Sequence, residues 1–186
     1  MLGAGRPAEG ASMKKQTKMI IAVSGIMAVL LVVLIMLNME HIREMSEYQK
    51  NALVRITVGE EYREYDMDEI KTLAAEDFTV VERSSTAKTV RRTYTGVPLK
   101  DLLAYHGVDI SAVVQVNVSG ADGYMAAILP DELMKNEVVY LTYAVGGRAL
   151  GNMSEGGVGP YQLVIATDVF AQRWCKYVAN IEIKLK

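Results

Sequence analysis

From Met19 to Leu37 the chain reads MIIAVSGIMAVLLVVLIML, an apolar run without a single charge. At about 1.5 Å of rise per residue, a helix of this length just crosses a hydrocarbon core. Lys14, Lys15 and Lys18 precede the run, and Glu40, Glu44 and Glu47 follow it. The basic flank orients the N-terminus toward the cytoplasm, the acids carrying little weight in that rule. The expectation is an uncleaved single-pass anchor in the cell membrane with the rest of the chain extracytoplasmic. A cleaved signal peptide is the competing reading. Against it, the run exceeds the usual apolar region of about 7–15 residues, and Leu37-Asn-Met-Glu-His41 offers no small-x-small cleavage site. Residues 1–18 then form a cytoplasmic N-terminus. Residues 1–12 are Gly- and Ala-rich and read as disordered, and Met13 ahead of Lys14-Lys15 is an alternative start.

The 186 residues leave room for one domain beside this anchor. A formal charge of −2 gives no basic face for nucleic acid. One cysteine forms no internal disulfide, and with His41 and His106 as the two histidines there is no Cys/His cluster at zinc spacing. Neither a metal ligand set nor a zinc or haem site is expected.

Residues 38–52 continue the helical pattern through Ile42, Met45 and Tyr48/Gln49, as a polar stalk or a short dimer seam. The domain is expected over residues 53–186. Leu53–Val58 alternates as a first strand, Gly59 turns, and Tyr62–Tyr65 returns as its hairpin partner. Asp66 with Glu69 resembles a capping box opening a helix through Ala75. Phe78–Arg83 and Lys88–Tyr94 pair as a hairpin about Ser84–Ala87. Pro98 enters the first turn of a helix whose Leu99, Leu102, Leu103 and His106 share a face, with Gly107 after its end. Val113–Ser119 pairs with Tyr124–Leu129, a helical turn begins at Pro130, and further strands cover Val138–Val145, Tyr161–Ala166 and Tyr177–Leu185. Many short strands with a few short helices make an α+β domain with a mixed sheet.

Four segments recur in a recognisable order: Tyr94-Thr-Gly-Val-Pro-Leu-Lys-Asp-Leu-Leu103, Ser119-Gly-Ala-Asp-Gly-Tyr124, Gly156-Gly-Val-Gly-Pro-Tyr-Gln-Leu-Val-Ile165 and Arg173-Trp-Cys-Lys-Tyr-Val-Ala-Asn-Ile-Glu-Ile183. Together they resemble the oxidoreductase molybdopterin-binding domain, the fold of the sulfite oxidase family. The resemblance implies a pterin dithiolene holding molybdenum, completed by a cysteine thiolate. That cysteine would fall near Ser84 or Ser85, where this chain has no thiol. A serine hydroxyl is a poor substitute for soft sulfur, and a hairpin-turn role for Ser84 is the alternative. The family's Gly-Pro-Leu-Arg becomes Gly159-Pro-Tyr-Gln162 here, so a neutral amide replaces the charged fork that holds phosphate. Lys176 matches the lysine of the family's Val-Lys-Trp signature, its other reading being a solvated edge-strand lysine. Asp122 and Tyr124 lie in the block that the resemblance places near the ligand cleft, and Asp122 also suits a simple turn.

The cofactor-site candidates are therefore Ser84, Asp122, Tyr124, Gln162 and Lys176, with no catalytic residue identified. Cys175 reads as a small buried hydrophobe in an apolar strand. His106 reads as a helix-end residue, and Gly156–Gly159 as a turn that lacks the Lys-Ser/Thr of a phosphate-binding loop. Asn117-Val-Ser119 and Asn152-Met-Ser154 fit the glycosylation pattern. Two functions remain in view. One is a membrane-tethered module that binds a pterin-like or anionic small ligand, or a membrane redox partner, without molybdenum chemistry. The other is an active molybdopterin-dependent oxidoreductase.

Overall fold

The computed structural model describes residues 9–82, 89–135 and 138–186. The chain divides into two units between Glu44 and Met45. The first is helical, the larger part of α1 (Glu9–Asn51). This helix is long and apolar enough to cross a membrane, and its apolar side chains from Met19 to Leu37 are exposed, which a helix in a protein core would not allow.

The second unit begins with the last turns of α1 and carries, among the described residues, ten strands: β1 (Val54–Val58), β2 (Glu61–Tyr65), β3 (Glu76–Glu82), β4 (Val90–Pro98), β5 (Val113–Gly120), β6 (Met125–Ile128), β7 (Val139–Val145), β8 (Arg148–Ala149), β9 (Gln162–Ile165) and β10 (Val178–Leu185). Three short helices join them: α2 (Met67–Thr72), α3 (Leu99–Tyr105) and α4 (Pro130–Met134). The strands make two sheets. The first runs β2-β1-β10-β5-β6, and the second β3-β4-β7-β8 with β9 also paired to β7. The first is mixed, because β1 lies parallel to β10 while its other pairs are antiparallel. The fold is thus α+β with a mixed sheet, as the alternating short apolar runs require.

Alternation sets which faces turn inward. Val54 and Ile56 of β1, Val116 and Val118 of β5, and Ile181 and Ile183 of β10 are buried, as are Val97, Leu141, Leu163 and Ile165 from the second sheet. All of these belong to one core. Leu99, Leu102 and Leu103 of α3 are each 0% exposed and join it. Burying each contributes roughly 1.5–3 kcal/mol. His106 caps this helix, and its Nδ1 lies 2.7 Å from Tyr65 Oη. Burial, followed by the nearby Arg63 charge, lowers its pKa.

Some local readings are corrected. Asp66 does cap α2, its side chain accepting from Glu69 N, but Glu69 turns to Arg63 rather than back to the cap. The helix stops at Thr72 instead of Ala75, because Leu73 becomes extended and half-buried against the core. Pro98 is not inside the helix. Its ψ of 128° keeps it extended, so it ends β4 opposite Tyr140 and stands at the N-cap of α3. The Asn117 glycosylation pattern falls on a side chain 5% exposed that donates to Glu182, which leaves no room for a glycan.

Candidate functional site

Gly120 closes β5 where three segments of the chain meet. The turn after it is built from its own backbone: Gly120 N donates to Tyr124 O, Gly123 N to Gly120 O, and Asp122 Oδ1 accepts Tyr124 N at 3.0 Å. A methyl group at Gly120 would stand 2.4 Å from Lys176 O, 2.6 Å from Asp122 Oδ1 and 3.3 Å from Cys175 Sγ. Glycine is therefore what lets the Asp122 turn and the Cys175–Lys176 backbone close on each other. The Tyr124 hydroxyl donates to Gln172 O at 2.5 Å, a second tie between the same segments.

Of the sequence candidates, Asp122, Tyr124 and Lys176 thus lie around one point, with exposed side chains. Ser84 lies outside the described residues. Gln162 begins β9, whose outer edge is bound to the same stretch through Leu163 N and Cys175 O at 2.8 Å. Its side chain, however, is 3% exposed, and its Oε1 has no hydrogen-bond partner among the described residues. The backbone carbonyl of Gln162 accepts from the buried Thr142 hydroxyl at 2.9 Å.

Cys175 and Lys176 are not in a strand. Cys175 lies beside β9, Lys176 and Tyr177 form a bend, and β10 starts only at Val178, after Tyr177 takes a left-handed φ of 55°. Lys176 is consequently an exposed residue of a bend rather than of a sheet edge. Cys175 is 0% exposed, with its thiol 3.5 Å from Lys176 O and 3.8 Å from Tyr124 O. Burial, and then the charge of Asp122, push its pKa up to about 12. Burial and the raised pKa keep the thiol protonated at neutral pH.

The glycine-rich loop is equally committed. Gly156 N donates to Met153 O, Gly157 N to Asn152 O, Val158 N to Leu150 O and Gly159 N to Gly151 O. Its N–H groups are spent on the chain itself, so they form no open nest for an anion. Arg173 is tied as well, at 2.7 Å from Glu132 and 2.6 Å from Asp168. The hydrogen bond to Glu132, then that to Asp168, raises its pKa further. Lys176 makes no ion pair among the described residues.

These observations test the molybdenum pterin directly. It requires a thiolate for the metal and charged or N–H donors for its phosphate. The one thiol is buried and protonated, the position of the family's arginine holds a neutral amide, and the loop donors and Arg173 are occupied. Among the described residues the metal finds no accessible thiolate, so they do not fit the molybdenum, while the exposed Lys176 remains as a charged donor.

Sequence reading missed the Tyr177 bend and the role of Gln49. Gln49 Nε2 reaches Tyr177 O at 3.4 Å, and its Oε1 accepts Met153 N at 3.2 Å. Helical spacing places Gln49 on the stalk but does not show its partners, and no local pattern marks the bend at Tyr177.

The family model described as the oxidoreductase molybdopterin binding domain matches residues 37–186. Among solved structures, the chain is similar to the sulfane dehydrogenase SoxCD from Paracoccus pantotrophus, with a TM-score of 0.58 and 20% identity. The match covers 72% of this chain and 38% of that one, so the chain spans well under half the length of that protein. No curated protein matches.

Proposed function

The chain belongs to the oxidoreductase molybdopterin-binding domain family, and on that premise we propose that it is a membrane-tethered, extracytoplasmic module that binds a ligand or a partner without molybdenum redox chemistry. The observation that carries this reading is Cys175: the chain's one thiol is 0% exposed and has a pKa near 12, whereas metal ligation needs an accessible thiolate. The neutral Gln162 in place of a charged fork supports it. The exposed Lys176 beside Asp122 and Tyr124 suits recognition of a planar, pterin-like or anionic small ligand at the surface. The tether is read from the exposed apolar length of α1, and its N-in orientation from Lys14, Lys15 and Lys18.

The test is metal and pterin analysis of the full chain, purified in detergent from a host that makes the cofactor. Far less than one molybdenum per chain is expected. Stoichiometric molybdenum would establish the redox reading instead. For topology, a reporter fused after Lys186 should be active outside the cytoplasm, and a reporter active inside would invert the arrangement.

A further inference from the structure

Ala52 and Tyr177, with φ of 50° and 55°, are the non-glycine residues at positive φ among the described residues. A side chain disfavours this conformation sterically, so it persists only where surrounding bonds enforce it. Both carbonyls are held. The Tyr161 hydroxyl donates to Ala52 O at 3.0 Å. Tyr177 O accepts from Ala121 N at 2.9 Å and from Gln49 Nε2 at 3.4 Å, while Tyr177 N donates to Val158 O at 2.9 Å.

The Tyr177 backbone therefore joins three segments: the end of α1, the turn that carries Asp122, and the glycine-rich loop. Gln49 uses the other end of its amide on Met153 N at 3.2 Å, so one side chain spans two loops. Tyr48, its neighbour, is 5% exposed and donates to Glu64. α1 itself is unbroken from the apolar run to Asn51.

We propose that Tyr177 is a strained latch that couples the last turn of α1, at Gln49, to the loops bearing Asp122 and Lys176. With Gln49 seated, Tyr177 stays left-handed and the loops stay closed on Gly120. Withdrawing Gln49 lets Tyr177 relax to an ordinary backbone conformation, which moves Lys176 away from the Asp122 turn. Coupling of this kind is reciprocal, so whatever fixes the loops also holds the helix end. The biological use of the latch rests on the ligand-binding reading above, but its mechanics do not.

The experiment is hydrogen exchange on the full chain in detergent micelles, comparing the parent with Gln49→Ala, Tyr177→Gly and the double variant. Gln49→Ala is expected to speed exchange at the amides of Ala121 and residue 177 on the order of tenfold, corrected for intrinsic rates. Ile181 and Ile183 in β10 should keep their protection. Glycine at 177 carries no strain to release, so in that background Gln49→Ala should change the same amides by no more than about twofold. Should Gln49→Ala lose protection throughout β10, Gln49→Asn, which shortens the reach without removing the amide, is read by the same criteria. Unchanged exchange at Ala121 and Tyr177, or an equal rise in the Tyr177→Gly background, overturns the latch. No ligand or metal enters this measurement, so its failure is distinct from a failure of the metal and pterin analysis.

Discussion

Replacing Gly120 by alanine forces a methyl carbon to 2.4 Å from Lys176 O and 2.6 Å from Asp122 Oδ1. Carbon–oxygen contacts settle at about 3.3–3.6 Å, so the overlap with Lys176 O is on the order of 1 Å. The Asp122 carboxylate is exposed and can rotate aside. The Lys176 carbonyl cannot, because it is bracketed by the 2.8 Å bond from Leu163 N to Cys175 O and the 2.9 Å bond from Tyr177 N to Val158 O. Overpacking of this kind costs about 1–3 kcal/mol, and a broken backbone hydrogen bond about 1 kcal/mol more. Gly120 is not in the left-handed region, so alanine recovers about 0.4–1 kcal/mol through the unfolded chain. The balance is a loss of roughly 1–3 kcal/mol, or a fall in unfolding midpoint of roughly 4–10 °C for a domain of this size. Trp174 is the chain's sole tryptophan and lies in the displaced stretch, so its fluorescence in a thermal melt reads the affected unit. Adding Asp122→Ala should not restore the midpoint, because the obstacle is a backbone oxygen. An unchanged or raised midpoint for Gly120→Ala would refute the argument.

Cys175 should react with a maleimide far more slowly in the native protein than after unfolding, in keeping with its burial and raised pKa, and equal rates would show an open site. Leu102→Ala should cost about 2–5 kcal/mol and the exposed Asp101→Ala under about 1 kcal/mol, measured by urea unfolding; similar values would mean that the wrong face of α3 is buried. The Glu64 carboxyl is held below its ordinary value by its hydrogen bond from Tyr48 and then by Arg55. A depressed folded pKa gives stability that is complete above the unfolded value and lost as pH falls through the folded one. The midpoint should therefore drop more steeply between about pH 5 and pH 3 in the parent than in Glu64→Gln, and parallel curves would contradict the pairing.

The parts of this fold legible in the sequence are those set by side-chain periodicity. Leu53–Val58 alternates and is β1 almost residue for residue, the 78–94 hairpin is β3 with β4, and Leu99, Leu102 and Leu103 all face the core. Elements set by backbone partners were not legible. Nothing local shows that Gly156–Gly159 spends its N–H groups on Leu150, Gly151, Asn152 and Met153, or that Cys175 runs beside β9 instead of within a strand. The closeness of Asp122 and Lys176 was expected from the family resemblance alone, since no spacing links residues so far apart. Gln49 shows the limit most clearly. On its helix it reads as one more polar stalk residue, and its two partners are more than a hundred positions away.

The position of β10 bears on how this chain comes to be folded. It is the last strand in the described order, yet it occupies the middle of the first sheet, between β1 and β5. The β1–β2 and β5–β6 hairpins can each form from neighbouring residues, but nothing joins them until Val178–Leu185 arrives. Pairings of such long sequence separation are slow to form, and until then each hairpin presents an open edge to other chains. A chain interrupted before Val178 would thus not be a slightly shortened domain. Its β1–β2 and β5–β6 hairpins would be left unjoined with open edges, which makes β10 the strand on which the first sheet's closure depends.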